Sequence, residues 1–572
     1  MTRVTAVLGA LLLVALLKGE VVLEHGVKAT MRDGTVLRAD VYRPSGEGRY
    51  PVLLQRTPYN KSGGADSGYR MAAAGYVAII QDVRGRFTSE GEWYPFLHES
   101  QDGYDTVEWA ASLPYSNGKV GMFGGSYVGA TQMLTAILHP PHLAGICPFV
   151  TASNYHENWT YQGGAFEQWF NESWTSGLAR DTADRRIEQG TNAMHGVWKL
   201  PLTDYTLFNS PAGSLGTHDL APYFLDWLAH PDYDEYWKRW AIDEHYTDIT
   251  APALTIAAWY DIFQGGSLRN YEGLKSKGGQ HLLVTIGGHA GGGRKIGDID
   301  FGPPAAEFDE LKLTMEWYDY LFKGARNQFA GKPVRIFVMG ANKWRDEDAW
   351  PLNRARQTKY FMHSSSGANS LRGDGVLSTE IPGQENVDHY IYDPANPAPT
   401  TGGPLCCDAV HLPPGPRDQR AVEAREDVLV YSTSALSQDM EATGPVSVEL
   451  YAKSSAVDTD FTAKLVDVWP NGFAQNLTEG IVRARYRNSR EKTALMNPGE
   501  VYKFTIDLWA TSNVFRKGHK LRIEISSSNF PRFDRNLNTG QSAASSSFAV
   551  SATNTILHDA EHPSALVLPV AP

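Results

Sequence analysis

A single serine lies among glycines in the stretch GMFGGSYVGATQ, residues 121–132. Gly124 stands two positions before Ser126, and Gly129 stands three positions after it. Glycines let a chain turn sharply from a strand into a helix, and such a turn, the nucleophile elbow, exposes a serine hydroxyl for attack on a carbonyl carbon. The usual spacing is G-x-S-x-G. Because Val128 occupies the second glycine position, a glycine-rich loop with an incidental serine is the alternative interpretation.

The sequence on either side of Ser126 favours the catalytic interpretation. An apolar run, KVGMF, leads into the glycines, and a helix-forming segment, YVGATQMLTAIL, begins directly after the serine. A strand that turns at once into a helix is the context in which a nucleophile elbow occurs. A serine hydroxyl is a weak nucleophile near neutral pH, so it needs an adjacent base, and that base needs a carboxylate to orient it.

Two further side chains stand where such a carboxylate and base are expected. Asp261 ends the apolar run LTIAAWYD, and His289 follows the run HLLVTIGG. Open α/β sheets place their sites at strand ends of this kind, and α/β-hydrolases carry their catalytic residues in the order Ser, Asp, His. We therefore predict that Ser126, Asp261 and His289 form a catalytic triad. The glycines around His289 do not form a phosphate-binding loop, since no Gly-Lys-Ser/Thr follows.

Composition limits the possible partners and cofactors. The chain has 572 residues, of which 42% are hydrophobic and 20% charged, as in ordinary globular proteins with several domains. The formal net charge is -12 and basic residues form no long run, which argues against nucleic acid or an anionic membrane as a partner. The sequence contains neither CxxC nor HExxH. We expect a small ester, amide or peptide as substrate, with no metal and no cofactor; the oligomeric state is left open.

The three cysteines are Cys147, Cys406 and Cys407, too few for a disulfide framework or a zinc site. Neighbouring cysteines can pair only through a strained vicinal bridge, so we interpret Cys406 and Cys407 as buried thiols.

The first residues resemble an export signal. Fourteen apolar residues, 4–17, follow one arginine, which suits the core of a signal peptide better than a spanning helix of ~20 residues. We expect residues 1–20 to be a signal peptide or an N-terminal extension. The first case predicts a secreted or periplasmic protein without stable membrane association, and the second a cytoplasmic one.

The pattern of strands and helices predicts an α/β fold. Two alternating runs flank Arg32-Asp33-Gly34 and indicate a hairpin, and further apolar strands then alternate with helical segments. This pattern predicts a mainly parallel sheet formed by residues 21–150 and 250–350. Residues 151–249, rich in tryptophan and tyrosine, are predicted to form an inserted helical cap. Short alternating strands such as YKFTIDLW predict a C-terminal all-β domain, a β-sandwich or jelly roll, over residues 351–572.

Taken together, these motifs resemble the family of cocaine esterases and X-prolyl dipeptidyl-peptidases, which includes α-amino-acid ester hydrolases and glutaryl-cephalosporin acylases. The elbow of this family is G-x-S-Y-x-G, which Gly124–Gly129 fits and which explains the displaced glycine. The resemblance extends over most of the chain, in MRDGTVLRADVYRP, RTPYNK, QDVRGRFTSEGEW, AAWYDIFQGG, DTDFTAKLVDVWPNG and SSSNFPRFDRNLNTG. It implies an α/β-hydrolase domain with a helical cap, a C-terminal jelly roll, and cleavage of esters or amides through an acyl-enzyme.

The resemblance also implies roles for further residues. An oxyanion hole would be formed by the hydroxyl of Tyr59, in RTPYNK, and the backbone N–H of Tyr127. The implied substrate pocket consists of Trp159 and Trp169 from the cap, Phe263 beside Asp261, and Leu405 and Cys406 from the jelly roll. For each of these, packing in the core is the alternative.

The sequence leaves several alternatives open for the charge and the class of the substrate. Relatives that select a free α-ammonium carry acidic residues two and three positions after the catalytic aspartate, where this chain has Phe263 and Gln264. We therefore expect neutral esters to be preferred. Glu157, Glu167 and Glu172 of the cap are the other possible ammonium ligands, and we expect them to be solvated. The competing hypotheses are an X-Pro dipeptidyl-peptidase, an amino-acid ester hydrolase or acylase, and, more remotely, a non-catalytic binding protein.

Overall fold

The computed structural model describes residues 20–190, 217–289 and 291–572, with side chains omitted at 186–190. The predicted signal segment therefore lies almost wholly outside the described residues, as does part of the predicted cap. In the described ranges, no helix combines the length and the apolar character needed to cross a lipid bilayer.

A ten-stranded sheet forms the first part of the molecule, in the order β1-β2-β4-β3-β5-β6-β9-β10-β13-β14. Neighbouring strands from β4 to β13 in this order run parallel, whereas β1, β2 and β14 pair antiparallel at the edges. Central strands such as β4 and β9 are buried along their whole length, which explains their continuous apolar sequences. The strands of this part are β1 (Val21–Thr30), β2 (Val36–Pro44), β3 (Tyr50–Thr57), β4 (Val77–Asp82), β5 (Ser116–Gly125), β6 (Leu143–Phe149), β7 (Tyr161–Gln162), β8 (Ala165–Phe166), β9 (Ala253–Ala258), β10 (Gln280–Thr285), β11 (Lys295–Ile296), β12 (Ile299–Asp300), β13 (Val334–Val338) and β14 (Lys343–Glu347).

Helices connect strands of this sheet, and further helices lie in the described parts of the segment between β6 and β9. The predicted hairpin is confirmed as β1 and β2, and the predicted helix after Ser126 begins at the next residue. The helices are α1 (Ala65–Ala73), α2 (Glu99–Ser112), α3 (Tyr127–Ile137), α4 (Gln168–Gly190), α5 (Thr217–Leu220), α6 (Pro222–Ala229), α7 (Glu235–Lys238), α8 (Gln264–Leu274), α9 (Glu310–Lys323) and α10 (Arg420–Glu423). Within residues 151–249, which are predicted to be helical, residues 181–190 form the end of α4, whereas α7 is only four residues long.

The C-terminal part is all-β apart from α10 and a 3-10 helix (Ala484–Tyr486) in the range that the structure describes. Its strands form an eleven-stranded sheet around the long strand β19, which pairs with β22, β24 and β25. In β22, Phe504, Ile506 and Leu508 are buried and alternate with exposed residues, as the sequence predicts. The strands are β15 (Arg356–His363), β16 (Val376–Ser378), β17 (Asp388–Tyr392), β18 (Leu429–Ser432), β19 (Met440–Ser454), β20 (Asp460–Val468), β21 (Ala474–Arg483), β22 (Tyr502–Phe515), β23 (Lys520–Ser526), β24 (Ala552–Leu557) and β25 (Ala565–Ala571).

The two parts share one hydrophobic core. Trp259 and Val284 of the first part belong to the same buried cluster as Leu450, Phe504 and Ile523 of the all-β domain. This shared core fixes the all-β domain against the sheet edge at which Asp261 and His289 lie, so loops from both parts can contribute to one site.

Candidate active site

Ser126 lies at the junction between β5 and α3 in a strained backbone conformation. Its φ is 61° and its ψ is -128°, a combination that residues with a side chain rarely adopt. Its backbone N–H donates to the carbonyl of Phe149 at 2.9 Å, which fixes the turn to the neighbouring strand β6. The residue is half-buried, so its side chain is partly accessible to a substrate. This is the geometry of a nucleophile elbow.

Close packing explains both glycines of the elbow, including the displaced one. Gly124 has a φ of 119°, and a Cβ there would lie 2.5 Å from Cγ1 of Val128. A Cβ on Gly129 would lie 2.8 Å from Cβ of Thr151. The residue of α3 that lies close against Thr151 is therefore 129 and not 128, which accounts for a glycine three residues after Ser126.

Asp261 and His289 form a hydrogen-bonded pair after two adjacent strands. Nδ1 of His289 lies 2.7 Å from Oδ2 of Asp261, whose side chain is fully buried. The other carboxylate oxygen, Oδ1, accepts the backbone N–H of Phe263 at 2.7 Å. Both oxygens of Asp261 are thus held in place, and Nδ1–H of His289 is oriented as the donor. Nε2 is therefore the nitrogen free to accept a proton.

The predicted residues meet at one edge of the sheet. Tyr59, Ser126, Asp261 and His289 follow β3, β5, β9 and β10, respectively, and these strands are parallel. Because parallel strands have their carboxyl ends at the same edge, all four residues lie on that side.

Tyr59 brings its hydroxyl to Ser126. Tyr59 is 41% exposed as a whole residue, but its hydroxyl end is desolvated, which raises the pKa of the hydroxyl above its ordinary value. Hydrogen bonds with Trp174, Ser126 and the backbone N–H of Tyr127 oppose this increase. The indole N–H of Trp174 donates to the hydroxyl oxygen at 3.0 Å. The two predicted oxyanion donors, the Tyr59 hydroxyl and the Tyr127 N–H, therefore lie next to each other beside Ser126.

The buried side chain of Tyr127 anchors the elbow through hydrogen bonds to Glu99 and Phe96. Its ring is fully buried, and its hydroxyl donates to Oε1 of Glu99 at 2.9 Å while it accepts the backbone N–H of Phe96 at 2.8 Å. Glu99 in turn pairs with Arg56 at 2.8 Å. Since these groups are buried and hydrogen-bonded to one another, they hold the Tyr127 N–H in a fixed position.

Aromatic side chains connect the Ser126 side of the site with the His289 side. Trp159 stacks on Phe263 with ring centroids 4.5 Å apart, and Phe263 contacts the ring of His289 edge-on at 5.3 Å. Trp159 also contacts Trp174, the residue that donates to Tyr59. The predicted pocket residues Trp159 and Phe263 thus lie directly beside the catalytic candidates.

Trp169 lies further from this chain of contacts. Its backbone N–H bonds to the carbonyl of Pro531 in the all-β domain at 3.0 Å. The indole N–H groups of Trp159 and Trp169 are both buried and have no hydrogen-bond partner among the described residues.

Leu405 and Cys406 are buried in a loop of the all-β domain, and Cys406 belongs to the same apolar cluster as Trp159 and Phe263. The interpretation of Cys406 and Cys407 as two thiols is wrong in this structure, because they are joined by a disulfide bond. Cys407 has a φ of 76°, and this backbone conformation brings the neighbouring sulfur atoms together.

Glu157, Glu167 and Glu172 are not all solvated, contrary to our expectation. Glu172 is exposed, but Glu167 is buried and pairs with Arg532 at 3.3 Å. Burial raises the pKa of Glu167 to about 7. Glu157 is half-buried, and one of its oxygens accepts the N–H of Gly163 at 3.0 Å, whereas Oε2 has no partner in the described part of the chain.

Sequence reasoning did not assign Trp174 or Glu99 to the site. Trp174 lies 115 residues from Tyr59, and the aromatic-rich sequence of α4 does not distinguish the tryptophan that reaches the hydroxyl from those that pack. Glu99 lies at the start of α2, where an acidic residue is common for helix stability alone.

The fold and these side chains define a hydrolase with an α/β sheet and a separate C-terminal all-β domain. The model of the X-Pro dipeptidyl-peptidase (S15 family) matches residues 33–291, and that of the X-Pro dipeptidyl-peptidase C-terminal non-catalytic domain matches residues 327–567. Cocaine esterase from Rhodococcus sp. (strain MB1 Bresler) is 39% identical over 570 residues, which cover 95% of this chain and 98% of that protein. The chain belongs to this family of serine esterases and X-Pro dipeptidyl-peptidases and is a hydrolytic enzyme.

Solved structures show the same fold over the whole chain. The crystal structure of an aminopeptidase from a marine sediment archaeon, Thaumarchaeota archaeon, has a TM-score of 0.81 at 25% identity and covers 97% of each chain. An α-amino acid ester hydrolase has a TM-score of 0.79 at 23% identity, also with 97% of each chain covered.

Proposed function

We propose that the protein cleaves carboxylic esters through an acyl-enzyme, with Ser126 as nucleophile, His289 as general base and Asp261 as the residue that orients His289. The observation that carries this proposal is the placement of the strained Ser126 turn, the Tyr59 hydroxyl and the Asp261–His289 pair at one sheet edge.

The reaction would proceed in two halves. Nε2 of His289 takes the Ser126 proton as Oγ attacks the ester carbonyl, and the Tyr59 hydroxyl and Tyr127 N–H donate to the developing oxyanion. Collapse of the tetrahedral intermediate breaks the bond to the alcohol, which leaves with the proton from His289. Water then attacks the acyl-enzyme by the same route, releasing the acid and restoring Ser126.

The surroundings of the triad favour a neutral acyl group with an apolar body. Phe263 stacks on Trp159 beside His289, where an ammonium-selecting site would need a carboxylate. Gln264 is neutral and supplies no charge, and its amide already donates to the carbonyls of Trp259 and Ala510.

A pair of substrates that differ only in the amino group tests this preference. Methyl phenylacetate and phenylglycine methyl ester should be compared by kcat/KM under identical conditions, together with an X-Pro anilide. We expect the neutral ester to be preferred. A tenfold or greater preference for either ammonium-bearing substrate would contradict the proposal of a neutral acyl site.

One observation favours the second candidate, a hydrolase of amino-acid esters or X-Pro peptides. Oε2 of Glu157 is buried without a partner and could pair with an ammonium group, although burial raises the pKa of this carboxyl and so disfavours its charged form. If this candidate were correct, Glu157→Gln would lower kcat/KM for phenylglycine methyl ester and leave that for methyl phenylacetate unchanged.

We further propose that α4–α7 belong to a cap over the sheet, that the all-β domain is a jelly roll, and that the protein is exported after removal of its first residues. The buried aromatics of residues 151–249 and the antiparallel strand order support the first two. N-terminal sequencing of protein recovered outside the cytoplasm tests the third, and an intact Met1 on that protein would contradict it.

A further inference from the structure

Two sulfur atoms lie beside the proposed catalytic base. A ring nitrogen of His289 and the sulfur atoms of Cys406 and Cys407 all lie within 4.8 Å of one another. Because Nδ1 of His289 is bonded to Asp261, Nε2 is the nitrogen that is free to bind another group. The role proposed above for His289 uses this nitrogen and does not involve the Cys406–Cys407 disulfide.

The loop that carries the cysteines is held firmly at its base. Gly403 and Gly415 exchange backbone hydrogen bonds of 2.8 and 2.9 Å, which close the segment containing the pair. The close approach of the two chain segments excludes a side chain at Gly402, since a Cβ there would lie 2.4 Å from the carbonyl oxygen of Gly415. The two sulfur atoms therefore lie in a loop whose two ends are hydrogen-bonded to each other.

This loop is also attached to the segment that follows His289. The backbone N–H of Asp298 donates to the carbonyl of Pro416 at 2.9 Å, and the guanidinium of Arg417 pairs with the carboxylate of Asp298 at 2.5 Å. These two contacts connect the cysteine loop to the chain segment that follows His289.

The burial of the three residues makes the sulfur atoms reachable from one side. Cys406 is buried and Cys407 is exposed, while the side chain of His289 is 17% exposed. A small reductant can therefore approach the disulfide through Cys407, and an ion that enters by the same route meets all three side chains.

We propose that, after reduction of the Cys406–Cys407 disulfide, Cys406, Cys407 and His289 form an inhibitory site for a thiophilic divalent cation such as Zn²⁺. Two thiolates and one imidazole nitrogen are a common zinc donor set, and a solvent molecule would complete four-coordination. The bound ion would occupy Nε2 and so prevent it from taking the Ser126 proton. This inhibition rests on the proposed role of His289, whereas binding of the ion does not.

The chemistry balances with a thiol reductant. Two thiol molecules reduce the S–S bond, become a disulfide themselves, and leave Cys406 and Cys407 each with one hydrogen. Binding of Zn²⁺ then releases one proton from each cysteine, since the thiolate is the ligand, and takes the neutral lone pair of His289. Oxidation of the pair removes both thiolate ligands and closes the site.

The test uses the full chain in oxidised and reduced form, the latter prepared with excess dithiothreitol that is removed under anaerobic conditions. Zinc binding is measured by equilibrium dialysis, and hydrolysis of a neutral aryl ester is measured in parallel. We expect the reduced protein to bind one additional Zn²⁺ per chain compared with the oxidised protein and to lose at least tenfold in activity, with recovery on addition of a chelator.

Two variants separate this site from adventitious zinc. Cys407→Ser removes one ligand outside the predicted substrate pocket, and we expect it to retain the basal activity but to lose the additional Zn²⁺ and the inhibition. Cys147→Ala removes the other cysteine, which is buried in β6, and should behave as the unchanged protein does.

Each outcome distinguishes the two proposals. Equal zinc binding by the reduced protein and by Cys407→Ser would overturn the metal site. Zinc bound at the site without loss of ester hydrolysis would overturn the inhibitory role. Normal zinc binding by a protein that hydrolyses no ester would sustain the site and contradict the proposed esterase function alone.

Discussion

The hydroxyl of Tyr59 can be removed without changing the shape of the side chain. Tyr59→Phe takes away the proposed oxyanion donor beside Ser126 and the acceptor of the Trp174 indole N–H, which lies at 3.0 Å. These two losses act on different quantities. The first affects the transition state, and the second affects the folded protein in the absence of substrate.

The expected magnitudes follow from these contacts. Loss of one oxyanion donor lowers kcat by about 10²–10³, with little change in KM, because the contact strengthens only when charge develops on the oxygen. Trp174 is only 5% exposed, so its unpaired N–H should lower the free energy of unfolding by about 1–2 kcal/mol. The two effects are separable because a loss of stability of this size leaves most of the protein folded.

Steady-state hydrolysis of an aryl ester and urea unfolding measure the two quantities in one preparation. Tyr69→Phe is the matched control, since Tyr69 is 45% exposed on α1 and its loss of a hydroxyl should change neither quantity. If folded Tyr59→Phe kept kcat within threefold of the unchanged protein, Tyr59 would not be an oxyanion donor and the reasoning would be refuted.

Four further outcomes are expected. Ser126→Ala and His289→Ala should each abolish ester turnover while the far-UV circular dichroism spectrum stays unchanged, and activity within tenfold of the parent in either would remove that residue from the triad. Gly129→Ala should lower both stability and kcat, because its Cβ would lie 2.8 Å from Cβ of Thr151. Gly177→Ala, whose new Cβ would have no atom within 4 Å, should leave kcat unchanged and should not destabilise α4. Urea unfolding and steady-state kinetics measure both effects. Glu167 has a folded-state pKa of about 7 against an ordinary value of 4.5, so the folded protein binds more protons and the stability from this group, complete below pH 4.5, is lost as the pH rises to 7. Relative to that of Glu167→Gln, the free energy of unfolding of the parent, measured with urea, should therefore fall by up to roughly 3 kcal/mol as the pH rises through this window. A difference in free energy between the two proteins that did not vary with pH would contradict the assignment. A chelator should leave the activity of the oxidised protein unchanged, and loss of activity that added metal restores would contradict a metal-free mechanism.

Local features of the fold were accessible from the sequence. The hairpin around Asp33-Gly34, the strands after which Asp261 and His289 lie, and the helix after Ser126 depend on short-range turn chemistry and on apolar runs, which adjacent residues determine. The positions of the site residues relative to these elements could therefore be predicted, while their catalytic roles stay proposals until they are tested.

Features that depend on distant parts of the chain could not be predicted. The burial of Glu167 follows from its contact with Arg532, 365 residues away, and local sequence indicates only an acidic residue near a helix. The disulfide between Cys406 and Cys407 depends on the positive φ of Cys407, which its sequence does not signal. Likewise, the hydrogen bond of Trp174 with Tyr59 joins residues 115 positions apart in the chain.

The most direct test of the central claim is covalent labelling of the nucleophile. The folded protein should be treated with a fluorophosphonate probe, and the modified residue located by peptide mass spectrometry, with Ser126→Ala as the control. The account predicts one adduct per chain, on Ser126, together with loss of ester hydrolysis in proportion to labelling. Labelling of a different residue with loss of activity, or equal labelling of Ser126→Ala, would contradict it.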